Sequence, residues 1–131
     1  MAEQQPWLTK GTALLIDDNE RYRSMLTRFM QGQGFECIQA NDGAEAIAHI
    51  AQHGNPDLIM CDVRMPNMNG VQFLEELKAK SISIPTIMIS AVGDREIIDR
   101  CLELGAADYV EKPFQLEQVK ARITRAMTKK D

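Results

Sequence analysis

Three aspartates, a serine and a lysine stand where short apolar runs end. Asp17 and Asp18 follow Thr12–Ile16, Asp62 follows Leu58–Cys61, Ser90 follows Thr86–Ile89, and Lys112 comes two residues after Tyr109–Val110. An aspartate after a strand is by itself an ordinary loop or cap residue. As a set these residues mean more, provided the runs are neighbouring strands whose carboxyl ends meet. At an effective dielectric near 20, two like charges ~4 Å apart repel by about 4 kcal/mol. Converging carboxylates therefore call for a compensating cation. Lys112 is one such partner. A divalent ion is another, and oxygen-only ligands suit a hard ion such as Mg²⁺ or Mn²⁺.

The elements needed to bring those ends together are legible. Five short apolar runs, the four above and Cys37–Ala40, alternate with helical patterns, the signature of βαβ units and a parallel sheet. The runs are too short for helices and rich in Ile, Leu, Val and Met, as expected of strands buried on both faces. Between them, Tyr22, Met25, Leu26, Phe29 and Met30 recur at helical spacing and predict a first helix facing the sheet. Asp42 with Glu45 predicts a capping box for a second helix that buries Ala44, Ile47, Ala48 and Ala51. Asn69 is expected to cap the third helix and Asp94 the fourth. Leu116, Val119, Ile123 and Met127 stripe the fifth. Gly34, Gly54 and Gly105 fall where helices should end. Right-handed crossovers then favour a doubly wound α/β sheet with helices on both faces. In such sheets ligands bind beyond the carboxyl ends of the strands, where the polar set lies.

Bulk properties narrow the function. The 131 residues are 44% hydrophobic, enough for one domain with a real core. Nineteen acidic against 15 basic residues argue against direct nucleic-acid binding. The basic residues Lys120, Arg122, Arg125, Lys129 and Lys130 read as cations at a helix C-terminus. No stretch approaches a membrane span and the N-terminus does not read as a signal peptide, so a cytoplasmic protein is expected. Cys37, Cys61 and Cys101 form no C-x-x-C pair. Cys37 and Cys61 read as buried free thiols. Residues 1–11, with Pro6 and Trp7, read as a tail ahead of a domain over 12–130.

The stretches L-I-D-D-N (Leu15–Asn19), C-D-V-R-M-P-N-M-N-G (Cys61–Gly70), I-S-A (Ile89–Ala91) and G-A-A-D-Y-V-E-K-P-F (Gly105–Phe114) resemble the receiver domains of bacterial response regulators, the CheY-like family. The resemblance covers residues 11–128, with the motifs in family order. It implies a flavodoxin-like five-stranded parallel sheet of order 2-1-3-4-5 with five helices. It also implies that Asp62 accepts a phosphoryl group from a histidine kinase or phosphotransfer protein. Asp17, Asp18, Asp62 and the backbone carbonyl of Arg64 would hold Mg²⁺. Ser90 would bind the phosphoryl group, Lys112 would pair with it, and Lys112–Pro113 would be cis. Ser90 and Tyr109 would form the switch that alters partner binding through the face of the fourth helix, fifth strand and fifth helix. Glu20, Arg21, Ser24 and Met25 are the implied kinase-docking residues. Asp108 and Arg122 match a salt-bridge network of a dimerising subfamily, so a homodimer stays open. The output would be a downstream effector or a fused domain, whether the receiver is freestanding or N-terminal in a longer regulator. Arg64 and Val92, flanking the phosphate, predict an aspartyl phosphate of moderate to long lifetime.

Other readings weigh less. A haloacid-dehalogenase-like phosphohydrolase would place a second Asp two after the nucleophile. Arg64 stands there and cannot protonate a leaving group. The protein is thus expected not to be an enzyme beyond its own phosphorylation and slow dephosphorylation. A flavin carrier needs small and hydroxylated residues after the first strand, where Asp17 and Asp18 would repel phosphate. A degenerate receiver acting as a constitutive binding module would not need the full set of site residues. His49 and His53 share a helix face but lack a third metal ligand, and read as surface residues. Cys61 should point away from Asp62 into the core. Met65 and Met68 are expected to be partly exposed. Most of the stripe Ile97, Ile98, Cys101 and Leu102 should be core.

Overall fold

Strand and helix alternate five times in the computed structural model, which describes residues 11–128. The order is β1 (Gly11–Ile16), α1 (Glu20–Gly32), β2 (Phe35–Ala40), α2 (Gly43–His53), β3 (Leu58–Asp62), α3 (Gly70–Ala79), β4 (Thr86–Ala91), α4 (Arg95–Glu103), β5 (Asp108–Lys112) and α5 (Leu116–Thr128). Pro6, Trp7, Lys129 and Lys130 lie outside the described residues. All strand pairs are parallel and the sheet order is β2-β1-β3-β4-β5. No described helix is long and apolar enough to cross a membrane.

Period-two alternation divides each strand between two cores. Leu14, Ile16, Ile59, Cys61 and Met88 pack under α2, α3 and α4. Ala13, Leu15, Leu58, Met60, Ile87 and Ile89 pack under α1 and α5. Cys61 therefore points into the core, as expected, and Cys101 is buried on the same face. Cys37 is only half-buried. Burial pushes its thiol up to about 11.

The strands run further than their apolar stretches. Asp62, Ser90, Ala91 and Lys112 are in ladder register, with Asp62 opposite Ile89 and Ala91 opposite Lys112. The chemical side chains thus sit on hydrogen-bonded strand ends instead of on loops.

Several helix faces differ from the pattern reading. On α2 the buried residues are Gly43, Ala46 and Ile50, with Ile47 half-buried, while Ala44, Ala48 and Ala51 face solvent. Two overlapping stripes compete there, and rotating the helix to bury Ile50 in place of Ala51 removes more apolar surface from water. On α1 Met25 is exposed and Thr27 buried, its hydroxyl donating to the Arg23 carbonyl. On α5 Leu116 is exposed at the start of the helix, while Ala126 near its end is buried with Val119 and Ile123. Leu102 is exposed on α4, whereas Met65 is buried and Met68 packs partly against the first core.

Capping is mixed. Asn69 and Gln72 form a full capping box on α3. Asp42 accepts from the Glu45 amide, but Glu45 returns its bond to Asn41, one residue early. Asp94 stands at the start of α4 and makes no side-chain cap. Gly34, Gly54 and Gly105 have positive φ at helix ends.

Gly70 opens α3 directly against the backbone that follows Asp62. A Cβ there would lie 2.7 Å from Met88 Cε and 2.9 Å from Val63 Cα. Gly70→Ala should destabilise the domain by about 1–3 kcal/mol through overpacking, read as a lower midpoint in urea with an unchanged slope.

Candidate functional site

The site lies at the carboxyl ends of β1, β3, β4 and β5. The chain leaves β1 through Asp17, whose amide donates to the Ala40 carbonyl at the end of β2. Asn19 then caps α1 by accepting from the Tyr22 amide, and its own amide donates to Asp17 Oδ1 at 2.8 Å. Arg23, one turn into α1, donates to the Asp17 carbonyl at 2.6 Å. Asp17 is thereby locked with its carboxylate inside the pocket, 1% exposed.

Asp62 ends β3, 7% exposed. Its Oδ1 accepts from the Arg64 amide at 3.2 Å. Lys112 reaches across from β5, its Nζ 3.3 Å from Asp62 Oδ2 and 3.3 Å from Asp17 Oδ2. Asp18, exposed, completes the set: carboxylate oxygens of Asp17, Asp18 and Asp62 lie within 4.8 Å of one another. Among the described residues this is the only cluster of its kind. His49 and His53 instead stack on each other on α2, centroids 4.4 Å apart, and no third ligand joins them among the described residues.

The electrostatics are unbalanced. One ammonium faces two buried carboxylates and a third beside them. Burial, reinforced by the Asp17 charge, pushes Asp62 up to about 6. Burial alone would lower Lys112, but Asp17 and Asp62 together outweigh it and hold its proton more tightly than usual. Asp17 Oδ2 is buried without a hydrogen-bond partner, only the ammonium charge nearby. An orphaned buried carboxylate oxygen within an all-oxygen donor set fits a hard divalent cation.

Around this centre the remaining expected residues take their places. Ser90, 1% exposed on β4, donates to the Val110 carbonyl at 3.4 Å. Tyr109 is half-buried against the α2–α3–α4 core and its hydroxyl accepts from Arg95 at 3.3 Å. Lys112–Pro113 is cis. Arg21, Ser24 and Met25 line a shallow groove of about 500 Å³ between α1 and α5, with Phe29 and Leu116 on its apolar floor. Glu20 is exposed at the start of α1. Asp108 pairs within the chain, with Arg122 at 3.7 Å and Arg125 at 3.2 Å.

Two features escaped the sequence reading. Tyr22, read as a core residue, lays its ring 4.2 Å from Lys112 Nζ and tilts against Phe114. Asp94, read as a cap, instead accepts two bonds from the Arg64 guanidinium, at 2.9 and 2.6 Å. Those bonds hold its carboxyl below the usual range. Neither pairing leaves a spacing signal, because the partners belong to different elements.

In the folded chain Asp62 keeps its proton up to about pH 6; in the unfolded chain it loses it near 3.9. The folded state therefore binds the extra proton, and stability falls as pH rises between those values. Asp62→Asn should thus be the more stable protein at pH 7.5 without metal, by on the order of 1–2 kcal/mol once solvent at the pocket mouth is allowed for. The gap should shrink to roughly a third by pH 4.5 and close only below the unfolded value near 3.9. Thermal unfolding of both proteins in chelator across that range checks it.

The family model for the response regulator receiver domain matches residues 13–124. The regulatory protein AtoC of Escherichia coli is 36% identical over 114 residues, 87% of this chain and 24% of its own length. A cyclic di-GMP phosphodiesterase of Thermotoga maritima is 32% identical over 116 residues, 88% of this chain and 31% of its own. The crystal structure of NtrX from Brucella abortus superposes with a TM-score of 0.84 at 27% identity, covering 91% of this chain and 27% of that one. The chain spans from about a quarter to about half the length of the curated relatives it matches.

Proposed function

Within the response regulator receiver family, to which this chain belongs and whose two-component signalling function it carries, we propose that Asp62 is the phosphoacceptor. The observation that carries this reading is the Asp62 carboxylate at the end of β3, bonded to Lys112 and facing Asp17 and Asp18.

A histidine kinase or phosphotransfer protein supplies the phosphoryl group. An Asp62 oxygen forms the new O–P bond as the donor's P–N bond breaks, and the nitrogen keeps the electron pair. Asp17, Asp18 and Asp62, with the Arg64 carbonyl, would hold Mg²⁺ (or Mn²⁺), which when bound neutralises charge on the transferring oxygens. Lys112 keeps Asp62 in its ionised, nucleophilic form and afterwards pairs with the product. Tyr22 steadies that ammonium from below. Such a transfer asks mainly for alignment and charge stabilisation.

The product brings roughly −1.5 to −2 of charge into the pocket. Ser90 would turn its hydroxyl from the Val110 carbonyl to a phosphoryl oxygen, and the Tyr109 ring would release Arg95 and move inward. The α4–β5–α5 face changes with them, altering what it binds. Docking of the phosphodonor on α1 fits the groove at Arg21, Ser24 and Met25, with Glu20 at its end. The protein acts in the cytoplasm through an effector protein or fused output domain, with no chemistry beyond its own phosphorylation and slow loss of the group. Asp108 is already paired internally, so a homodimer on that face would have to reuse or break these ion pairs.

Intact mass after incubation with Mg²⁺ and acetyl phosphate tests the reading. One phosphoryl adduct is expected on the wild type and none on Asp62→Ala; an adduct on both, or on neither even with a cognate kinase, would refute it. In the same assay Tyr22→Leu should slow phosphorylation about two- to fivefold, the worth of a cation–π contact near 0.5–1 kcal/mol. Tyr22→Phe should keep the wild-type rate.

A further inference from the structure

The Arg64–Asp94 pair is built unlike a surface ion pair. Arg64 Nε and Nη2 both bond Asp94 Oδ1, at 2.9 and 2.6 Å, and the Asp94 side chain is only 4% exposed. The other carboxylate oxygen accepts from the Ala91 amide at 2.9 Å. Asp94 is thus fully engaged, holding the turn between β4 and α4 against the loop that follows β3.

That engagement has a consequence for α4. Asp94 occupies the helix N-cap position, yet caps nothing. Asn19, Asp42 and Asn69 at the equivalent places of α1, α2 and α3 each accept from the amide three residues on. α4 forgoes that stabilising cap while Arg64 holds the carboxylate.

Arg64 is also tied to the acceptor. Its amide donates to Asp62 Oδ1, and its guanidinium, on a long stem from that same residue, is 64% exposed and held by Asp94. A phosphoryl group on Asp62 would offer it more negative charge and more acceptor oxygens than one carboxylate does, in a geometry guanidinium groups match well.

We propose that Arg64 is a second phosphoryl-binding cation beside Lys112, held in reserve by Asp94, and that phosphorylation exchanges its partner. The guanidinium passes from Asp94 to the phosphoryl oxygens, and the released Asp94 carboxylate caps α4. This rests on Asp62 being the phosphoacceptor and adds a route to α4 separate from Ser90 and Tyr109. Asp94 in this scheme is a positioning residue, since it acts only through Arg64 and the helix.

Calorimetric titration with beryllofluoride in saturating Mg²⁺ tests the exchange on the full chain. Asp94→Asn removes the competing charge and should bind about threefold to tenfold more tightly than wild type; Arg64→Ala should bind more weakly by a similar factor. In the Arg64→Ala background, Asp94→Asn should change nothing. A gain in affinity cannot come from a damaged fold, so the sign itself separates exchange from structural harm. Hydrogen exchange at the first amides of α4 should slow on beryllofluoride binding in wild type and not in Arg64→Ala. Equal or weaker binding by Asp94→Asn, or the same effect with and without Arg64, would overturn the exchange and leave the acceptor reading standing. Failure of wild type to bind beryllofluoride would overturn both.

Discussion

Two buried carboxylates share one ammonium. Lys112 stands 3.3 Å from both Asp17 and Asp62, and Asp17 keeps an oxygen with no hydrogen-bond partner. An arrangement of this kind opposes folding and has to be held against its own repulsion. Rigid strand ends do the holding. Asp62 and Lys112 are ladder residues, and Asp17 is fixed on three sides by Ala40, Asn19 and Arg23. The charge imbalance that would otherwise be a defect suits the pocket to a hard cation, and under the proposed function a phosphoryl group would follow it.

The same constraint organises what surrounds the pocket. Two cores clamp the sheet on both faces, so its carboxyl edge cannot relax by moving strands apart. What can move lies above that edge. The Ser90 hydroxyl is bonded to a neighbouring carbonyl, the Tyr109 hydroxyl to an exposed arginine, and the Arg64 guanidinium to Asp94. Each is a polar contact that a new dianion next door would contest. In the proposed reading, a stiff base that carries the acceptor, topped by exchangeable contacts, would convert one covalent event into a change of surface.

Much of this was readable from the chain because it rests on local rules. Alternation of apolar residues assigned strand faces, and the residues just past those runs were the chemical ones. Local rules failed where two local answers tied. On α2 the stripes through Ala44 and through Ala46 look equivalent until the sheet chooses the one that buries Ile50. Asp94 has the type and place of a cap, yet a guanidinium 30 residues away claims it. Met65 reads as a loop residue and is buried as part of the core under α2, α3 and α4.

The sequence by itself determined the order of elements, the parallel sheet and the five side chains that meet at its edge, since these follow from periodicity and from residues adjacent to strands. Only the tertiary structure decided how those charges are shared: that Lys112 stands 3.3 Å from both Asp17 and Asp62 but hydrogen-bonds only Asp62, that Tyr22 lies beneath it, and that Arg64 is spoken for by Asp94. The physical reason is range. Hydrophobic pattern is a property of neighbours along the chain, whereas Coulomb and cation–π partners are set by distances of a few ångströms between elements far apart in it.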